Sequence, residues 1–556
     1  MIATGRRRRG LVVAALSATM CSAAIASGTP VSAAGEPAKS EVADAGVRWY
    51  ALSLDGRPCG RARIERSESG DRLRVVEAME MGVARDGTEV RIEIRLETVE
   101  TAAGRLVEAS RRFAAGAEPS TTRWTFEEEA VRETREEGGR QVSRTIDLDH
   151  DVVLSPESAA AFFAERRSAG AARASWTTVS FEQGFEIVEI EATRIGDAIF
   201  RWGDRPVPVE RWRLESTGTP FPVEEWWSGD GLLVESRVST GLGDLVVRLA
   251  SEEKAAAWRR GGLTDIVAAT VVPLAGRLPA DAEEIRLQVR ARPGVELPML
   301  PTTARQRFEL VPAGAVAGRP GEPGTSSSAQ DGEPPIGAEG DAEGEAGRVG
   351  LLTIRPRGPD FGDFAEAPPG ASHLAGGPLI EIDDDLVRRL AFETSGTAAE
   401  GPAASRAERL RRFVRSWIRR KDLATALAGA AEVARSRSGD CTEHATLLAA
   451  LLRVHGIPAR IAVGLVHADR FAGRRNVFAW HAWTQGFVDG TWVDLDATAA
   501  GPEDGIRIAV AFGDLAGGAF DPVWSATLPV MGAIEIEVLE DADGGDSTAP
   551  SSTETR

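Results

Sequence analysis

Ten residues early in the chain, VRIEIRLETV at 90–99, alternate Val90, Ile92, Ile94 and Leu96 with Arg91, Glu93, Arg95 and Glu97. Successive strand side chains point to opposite faces, so this period suits a sheet with one dry and one wet face. FEIVEIEATRI at 185–195 and GLLVESRVST at 231–240 continue the theme between glycine-containing turns. One helix interrupts it: Ser155 can cap, Pro156 fits the first helical position, and AAAFFAERR follows. Residues 45–257 are therefore expected to form a twisted antiparallel sheet or half-barrel with an accessory helix. Trp226 and Trp227, followed by SGDG, read as strand packing and a turn rather than as a carbohydrate platform.

At 556 residues the chain is too long for one core, and further strands are expected in EEIRLQVRA, ARQRFELV and VGLLTIRP. These define a small β-domain over 264–356, interrupted at 313–347 by a run of Gly, Pro, Ser and Glu that cannot bury enough apolar surface to order itself. The stretch 541–556 is a polar, acidic tail of the same kind. A net charge of −19 argues against a nucleic-acid partner. The basic run RRFVRSWIRRK at 411–421 reads as the solvated face of a helix whose other side carries Leu410, Phe413, Val414 and Trp417. His150 among Asp147, Asp149 and Asp151 reads as a solvated turn without the calcium-loop glycine, so no metal is expected there.

The N-terminus reads as a secretory signal over 1–34: Arg6 to Arg9, an apolar stretch from Leu11 to Ala26, and Val31-Ser32-Ala33 before the cut. Arg8 and Arg9 permit a twin-arginine version, and Cys21 a lipid anchor, although Met20 before it is large for one. An exported protein is expected, in the periplasm, the cell envelope or the medium, with no integral membrane segment once the signal is removed. With Cys21 gone, Cys59 and Cys441 remain, and an oxidising compartment leaves a disulfide between them open. Cys59, in DGRPCGRARIE, reads as a small buried residue.

Cys441 is different, because it opens a helix that runs to His455, stops at Gly456 and is followed by Pro458. Leu447, Leu448, Leu451 and Leu452 supply the expected buried side. A cysteine at a helix N-terminus faces unsatisfied backbone donors and the positive end of the helix dipole, where a nucleophile is best placed. Val477–Phe487 reads as a strand carrying His481 between Trp480 and Trp483. Asp489-Gly490 signals a hairpin, so TWVDLDATA at 491–499 returns antiparallel to it. A carboxylate there can orient the imidazole, and Asp494 and Asp496, two apart, share a face and are both candidates. His444 reads as a core or supporting residue, Glu443 as a helix N-terminal partner, His455 as a last-turn residue and His467 as part of a loop bordering the cleft. Cys441, His444 and His481 imitate a zinc set but lack the spacing of a closed site, so neither metal nor cofactor is expected.

GDCTEHATLLAALLRVHGIPARIAVGL, WHAWTQGFVDGTWVDLDAT and IRIAV together resemble the transglutaminase-like core domain of bacterial proteins, within the papain-like cysteine enzyme class. The resemblance spans roughly 378–535 and implies Cys441 as nucleophile, His481 as base and Asp496 as the orienting carboxylate. The family's Asp-Pro-Thr reads Asp496-Ala497-Thr498 here. The implied fold class is α+β, a C-terminal papain-like catalytic domain preceded by mostly antiparallel β-domains. The implied activity is attack on a protein or peptide amide through a thioester, ending in hydrolysis (a cysteine protease or amidase) or in acyl transfer (a protein-glutamine acyltransferase). The other class of reading is a non-catalytic binding or scaffold protein of the envelope with an inert cysteine domain.

Overall fold

The computed structural model describes residues 46–539 apart from short breaks and the longer stretch 313–347, so the signal, insertion and tail expectations fall outside the described residues. The protein is α+β, with mostly antiparallel sheets preceding a C-terminal helical and β region.

The first sheet has fourteen strands. From Val47–Leu54 it runs outward in chain order, one hairpin after another, to the edge strand Arg140–Asp147. On its other side Val47–Leu54 pairs with Gly243–Ala250, and the chain is then followed backwards to the second edge, Arg173–Ser180. The period-2 stretch at 90–99 lies in Thr88–Thr101, where Val90, Ile92 and Ile94 are buried and Arg91 and Glu93 exposed. The helix Pro156–Ser168 connects the two edges, with Ser155 Oγ accepting from the Ser158 N–H and Pro156 in its first turn. Its Phe163 stacks on Trp176 with ring centroids 5.1 Å apart and meets Trp212 and Trp227 edge-on, tying together strands from one half of the sheet. Each fully buried aromatic of this kind contributes on the order of 2–3 kcal/mol. Trp227 is wholly buried, its indole N–H donating to Glu225 at 2.8 Å, which accounts for the Trp226-Trp227 pair as packing. Cys59 is buried in the same core.

The second sheet has nine strands. Gln306–Pro312 and Arg348–Ile354, on either side of the 313–347 stretch, pair antiparallel. Ile285–Ala291, Ile534–Val538 and Val272–Ala275 follow, and then Arg474–Val488, Ala459–Phe471 and Arg507–Gly513. Strands from 272–354 and from 459–538 thus share one sheet, joined where Val272 pairs with Phe478 and where Ile534–Val538 pairs with Ile285–Ala291 and Val272–Ala275. Four helices pack together and against it: Asp385–Ser395, Ala403–Trp417, Ala430–Ser436 and Cys441–Val454. The last of these was expected to bury one side, but every residue from Glu443 to Arg453 is buried. The reason is its position between the sheet and the other three helices, which leaves no face for water.

The solvated-face reading of 411–421 needs a correction at Arg411, which is 1 % exposed. Its guanidinium donates to the carbonyls of Asp496 and Ala499 at 2.9 and 2.8 Å and pairs with Glu408 at 2.7 Å. Among the described residues no helix is long and apolar enough to cross a membrane.

Candidate active site

Gly439 sits at φ +153°, and a Cβ there would lie 2.2 Å from the Glu443 Cβ, so the approach to the cysteine helix requires glycine. Asp440 then caps: its Oδ1 accepts from the Thr442 N–H at 3.0 Å while Glu443 Oε2 accepts from the Asp440 N–H at 2.9 Å, a reciprocal capping box. Cys441 occupies the first position of the helix.

The histidine strand, Arg474–Val488, brings His481 beside Cys441, near enough for thiol and imidazole to interact. The hairpin turn at Asp489 and Gly490, both with positive φ, sets the return strand Thr491–Leu495 in a register that pairs Gln485 with Asp494 and Thr484 with Leu495. Period-2 geometry puts Asp494 and Asp496 on the face of His481, but register separates them. Asp496 Oδ2 lies 2.9 Å from His481 Nε2. Asp494 lies further back, where its Oδ1 accepts from the Trp483 indole at 2.6 Å and from the Gln485 amide at 2.8 Å. With Nε2 turned to the carboxylate, the other ring nitrogen is left for the sulfur.

Asp496 is fully engaged. Its Oδ1 accepts from the Thr498 N–H at 2.8 Å and the Thr498 hydroxyl at 2.7 Å, and Oδ2 also accepts from Arg507 at 3.1 Å. Burial alone would push its carboxyl up, but the His481 contact, Thr498 and the Arg507 charge outweigh it and hold the group well below the usual carboxylate range. Burial pulls the imidazole down, yet the hydrogen bonds to Asp496 and Cys441 and their charges overcome this and raise it to about 10. A charged imidazolium is therefore the resting form near neutral pH. Trp483, 1 % exposed, lies nearly parallel to the ring at 6.2 Å and screens one face from water.

The remaining histidines lie to the side. His444 donates through Nδ1 to the Asp440 carbonyl at 2.6 Å, and burial holds its pKa down. His455 caps the helix and bonds the Ala391 carbonyl at 2.9 Å. His467 was expected in a loop, but it lies in the strand Ala459–Phe471, where neighbouring strands hold its backbone and Asn476 accepts from its ring at 3.1 Å. Arg507 and Thr498 were not singled out from the sequence. Thr498 could have been, as the last member of the Asp-Ala-Thr run, whereas nothing in IRIAV distinguishes Arg507 from a solvated strand residue.

A match to the transglutaminase-like superfamily covers residues 388–497. The chain carries a transglutaminase-like superfamily domain. That domain spans the cysteine helix, the histidine strand and the return strand as far as Asp496, while Arg507 lies beyond it. No curated protein matches the chain. Among solved structures it is similar to a β-barrel-like protein with a domain of unknown function from Brucella abortus, at 12 % identity and a TM-score of 0.31, over 37 % of this chain and 95 % of that one. It is also similar to a candidate cysteine protease from Cytophaga hutchinsonii, at 14 % identity and a TM-score of 0.27, over 47 % of this chain and 89 % of that one. A third, a candidate protease from Parabacteroides distasonis, has 12 % identity and a TM-score of 0.17, over 72 % of this chain and 68 % of that one. Likenesses this weak say nothing about the activity of the present chain.

Both described cysteines are free thiols, and the transglutaminase-like domain holds one of them. Cys59 is enclosed, and burial raises its pKa to about 12; Cys441 is partly accessible. Iodoacetamide at neutral pH is accordingly expected to label Cys441 in the folded protein and Cys59 only after denaturation, as read by peptide mass spectrometry. Equal labelling of the two in native protein would contradict this placement.

Proposed function

We propose that this is an exported cysteine enzyme that attacks peptide or side-chain amides through Cys441, His481 and Asp496. The observation that carries the reading is the placement of a partly accessible thiol at a helix start beside His481, which is itself held at 2.9 Å by a carboxylate with no free lone pair to spare. The leader read at residues 1–34 supports export.

In the first half-reaction the Cys441 sulfur attacks the carbonyl carbon and the C–N bond breaks, forming a thioester. The proton on His481 passes to the departing nitrogen, so an amine or ammonia leaves. Cys441 at the first helical position lies at the positive end of the helix dipole, which favours the negative charge that develops there. In the second half-reaction His481 takes a proton from water or from an amine as that nucleophile attacks the thioester, and the C–S bond breaks to release the Cys441 thiolate beside the re-formed imidazolium. Water gives hydrolysis and an amine gives transfer; both use the same three groups.

Asp496 keeps the imidazole charged and oriented, which gives a pH dependence with a definite sign. The folded pKa of His481 exceeds its ordinary 6.5, so the stabilisation from this contact is complete below that pH and is lost as pH rises through about 10. Asp496 shifts the other way, so its share is present above the ordinary 3.8 and is lost only as pH falls well below that value. Thermal stability should therefore decline steadily as pH rises from about 6.5 towards 10, whereas turnover, which follows the protonation of folded His481, should hold across neutral pH and fall as the pH approaches 10. A melting temperature that climbs over that alkaline range would contradict the ion pair.

The direct test is to incubate the protein with glutamine-containing peptides, quench in acid and search for an acyl adduct by mass spectrometry. The adduct is expected on Cys441 and absent from Cys441→Ala. An enzyme that forms none, and whose Cys441 is alkylated no faster than a free thiol, would be the inert scaffold instead.

A further inference from the structure

The side chain of Arg85 carries the fourteen-stranded sheet to the cysteine helix. Arg85, at the end of the strand Arg72–Arg85, contacts Asp440 Oδ2 at 2.5 Å, and both side chains are largely buried, 18 % and 10 % exposed. Asp440 is the cap of that helix and the residue immediately before Cys441. The contact therefore joins positions 355 residues apart at the start of the proposed nucleophile's helix.

The backbone beside Arg85 is held firmly. Ala84 N–H donates to the Thr264 carbonyl at 2.9 Å, and Gly87 N–H to Asp265 Oδ2 at 3.0 Å. Asp265 caps Ile266–Thr270, which leads into Val272–Ala275, whose Val272 pairs with Phe478 of the histidine strand. One corner of the N-terminal sheet is thus tied to both arms of the site, to Cys441 through a side-chain ion pair and to His481 through a strand.

Charge makes the first of these ties more than a dock. Asp440 and Glu443 place two buried carboxyl groups around the residue proposed as the nucleophile, and Glu443 is fully enclosed. Two adjacent carboxylates there would oppose a negative sulfur. We infer that Arg85 is a positioning residue for Cys441, a cation supplied by the N-terminal sheet that compensates the Asp440 cap and keeps the helix start receptive to a thiolate. This assignment rests on the reading of Cys441 as a nucleophile. The titration of the pair agrees with it. Burial pushes Asp440 up, but a hydrogen bond with Glu443 and the Arg85 charge hold it down. Burial and the Asp440 charge raise Glu443 to about 8, so near neutral pH the two groups carry mainly one negative charge, facing one guanidinium. The N-terminal sheet thereby acquires a role in the chemistry without touching substrate.

The test uses iodoacetamide alkylation of Cys441 in the full-length protein, which needs no substrate, with Cys59 protection as the check that the sheet is folded. Arg85→Gln should slow alkylation about tenfold at neutral pH, because the cap carboxylate is left uncompensated. Arg85→Lys should recover most of the rate. Asp440→Asn removes the negative charge while its amide oxygen can still accept from the Thr442 N–H, and it should react faster than wild type. The double variant R85Q/D440N should be at least as fast as wild type. A folded Asp440→Asn that reacts more slowly than wild type would mean that the pair is a structural dock only, and would overturn the assignment whether or not Arg85→Gln folds. A wild-type rate in folded Arg85→Gln would overturn it as well. A slow wild-type Cys441 would instead defeat the functional reading on which the assignment stands, so the two failures are distinguishable.

Discussion

Asp496→Asn is expected to lower kcat by about 10³–10⁴-fold while KM stays within a few-fold, because a misoriented, uncharged-partner imidazole fails mainly in the transition state. On the proposed reading the carboxylate at this position does two things at once: its charge sustains the imidazolium, and its bond to Nε2 orients the ring towards Cys441. An amide oxygen can still accept from His481, but the charge is gone and the buried Arg507 loses its counter-ion. Asp494→Asn is the informative comparison. Its Oδ1 accepts from the Trp483 indole and the Gln485 amide, and an asparagine oxygen can accept from the same two donors, so the loss should stay within a few-fold. The measurement is steady-state kinetics on the amide substrate found by thioester trapping, with Cys441→Ala as the inactive reference. A large loss in D494N with near-normal D496N would reverse the assignment, and small equal losses would mean that His481 is oriented by another group.

The largest effect on stability is expected at Arg411. Replacing it with methionine keeps the apolar stem but strands the carbonyls of Asp496 and Ala499 and removes one of the partners of Glu408. Removing one partner from a buried, charged network costs about 3–5 kcal/mol. Because one of the stranded carbonyls belongs to Asp496 itself, turnover should fall along with the melting temperature. Arg411→Lys should recover only part of the loss, since a single ammonium cannot serve the carbonyls and the carboxylate in the planar fork that guanidinium provides. Arg412→Met, one residue along and 72 % exposed, should change stability by less than about 1 kcal/mol. Denaturant or thermal unfolding separates these cases; equal effects at the two positions would show that the network around Arg411 is not what holds the 496–500 segment.

Much of the site was legible because its signals are local. A helix that starts at Cys441 and stops at Gly456, a strand carrying His481 and a turn at Asp489-Gly490 are each encoded within a few residues, by capping chemistry, β-branched and aromatic content and positive-φ geometry. The alternation at 90–99 likewise named Val90, Ile92 and Ile94 as buried residues of the first sheet, although Leu96 is only half-buried. The choice between Asp494 and Asp496 was of another kind. Period 2 assigns both to one face, and only the paired register, with Leu495 opposite Thr484, carries Asp496 to the imidazole.

Tertiary structure also decided which arginines matter. Arg411 and Arg412 are neighbours in a basic run, yet one is enclosed by the 496–500 carbonyls and the other is in water, because helix rotation against its neighbours, rather than residue type, selects the buried position. Arg507 and Arg85 look like ordinary strand cations until folding puts the first against Asp496 and the second against Asp440. Periodicity states which face a side chain occupies and is silent about what will be packed on that face. The partner of a buried charge is set by contacts between segments distant in sequence, here as far apart as Arg85 and Asp440, and those contacts exist only once the sheets and helices have closed on one another.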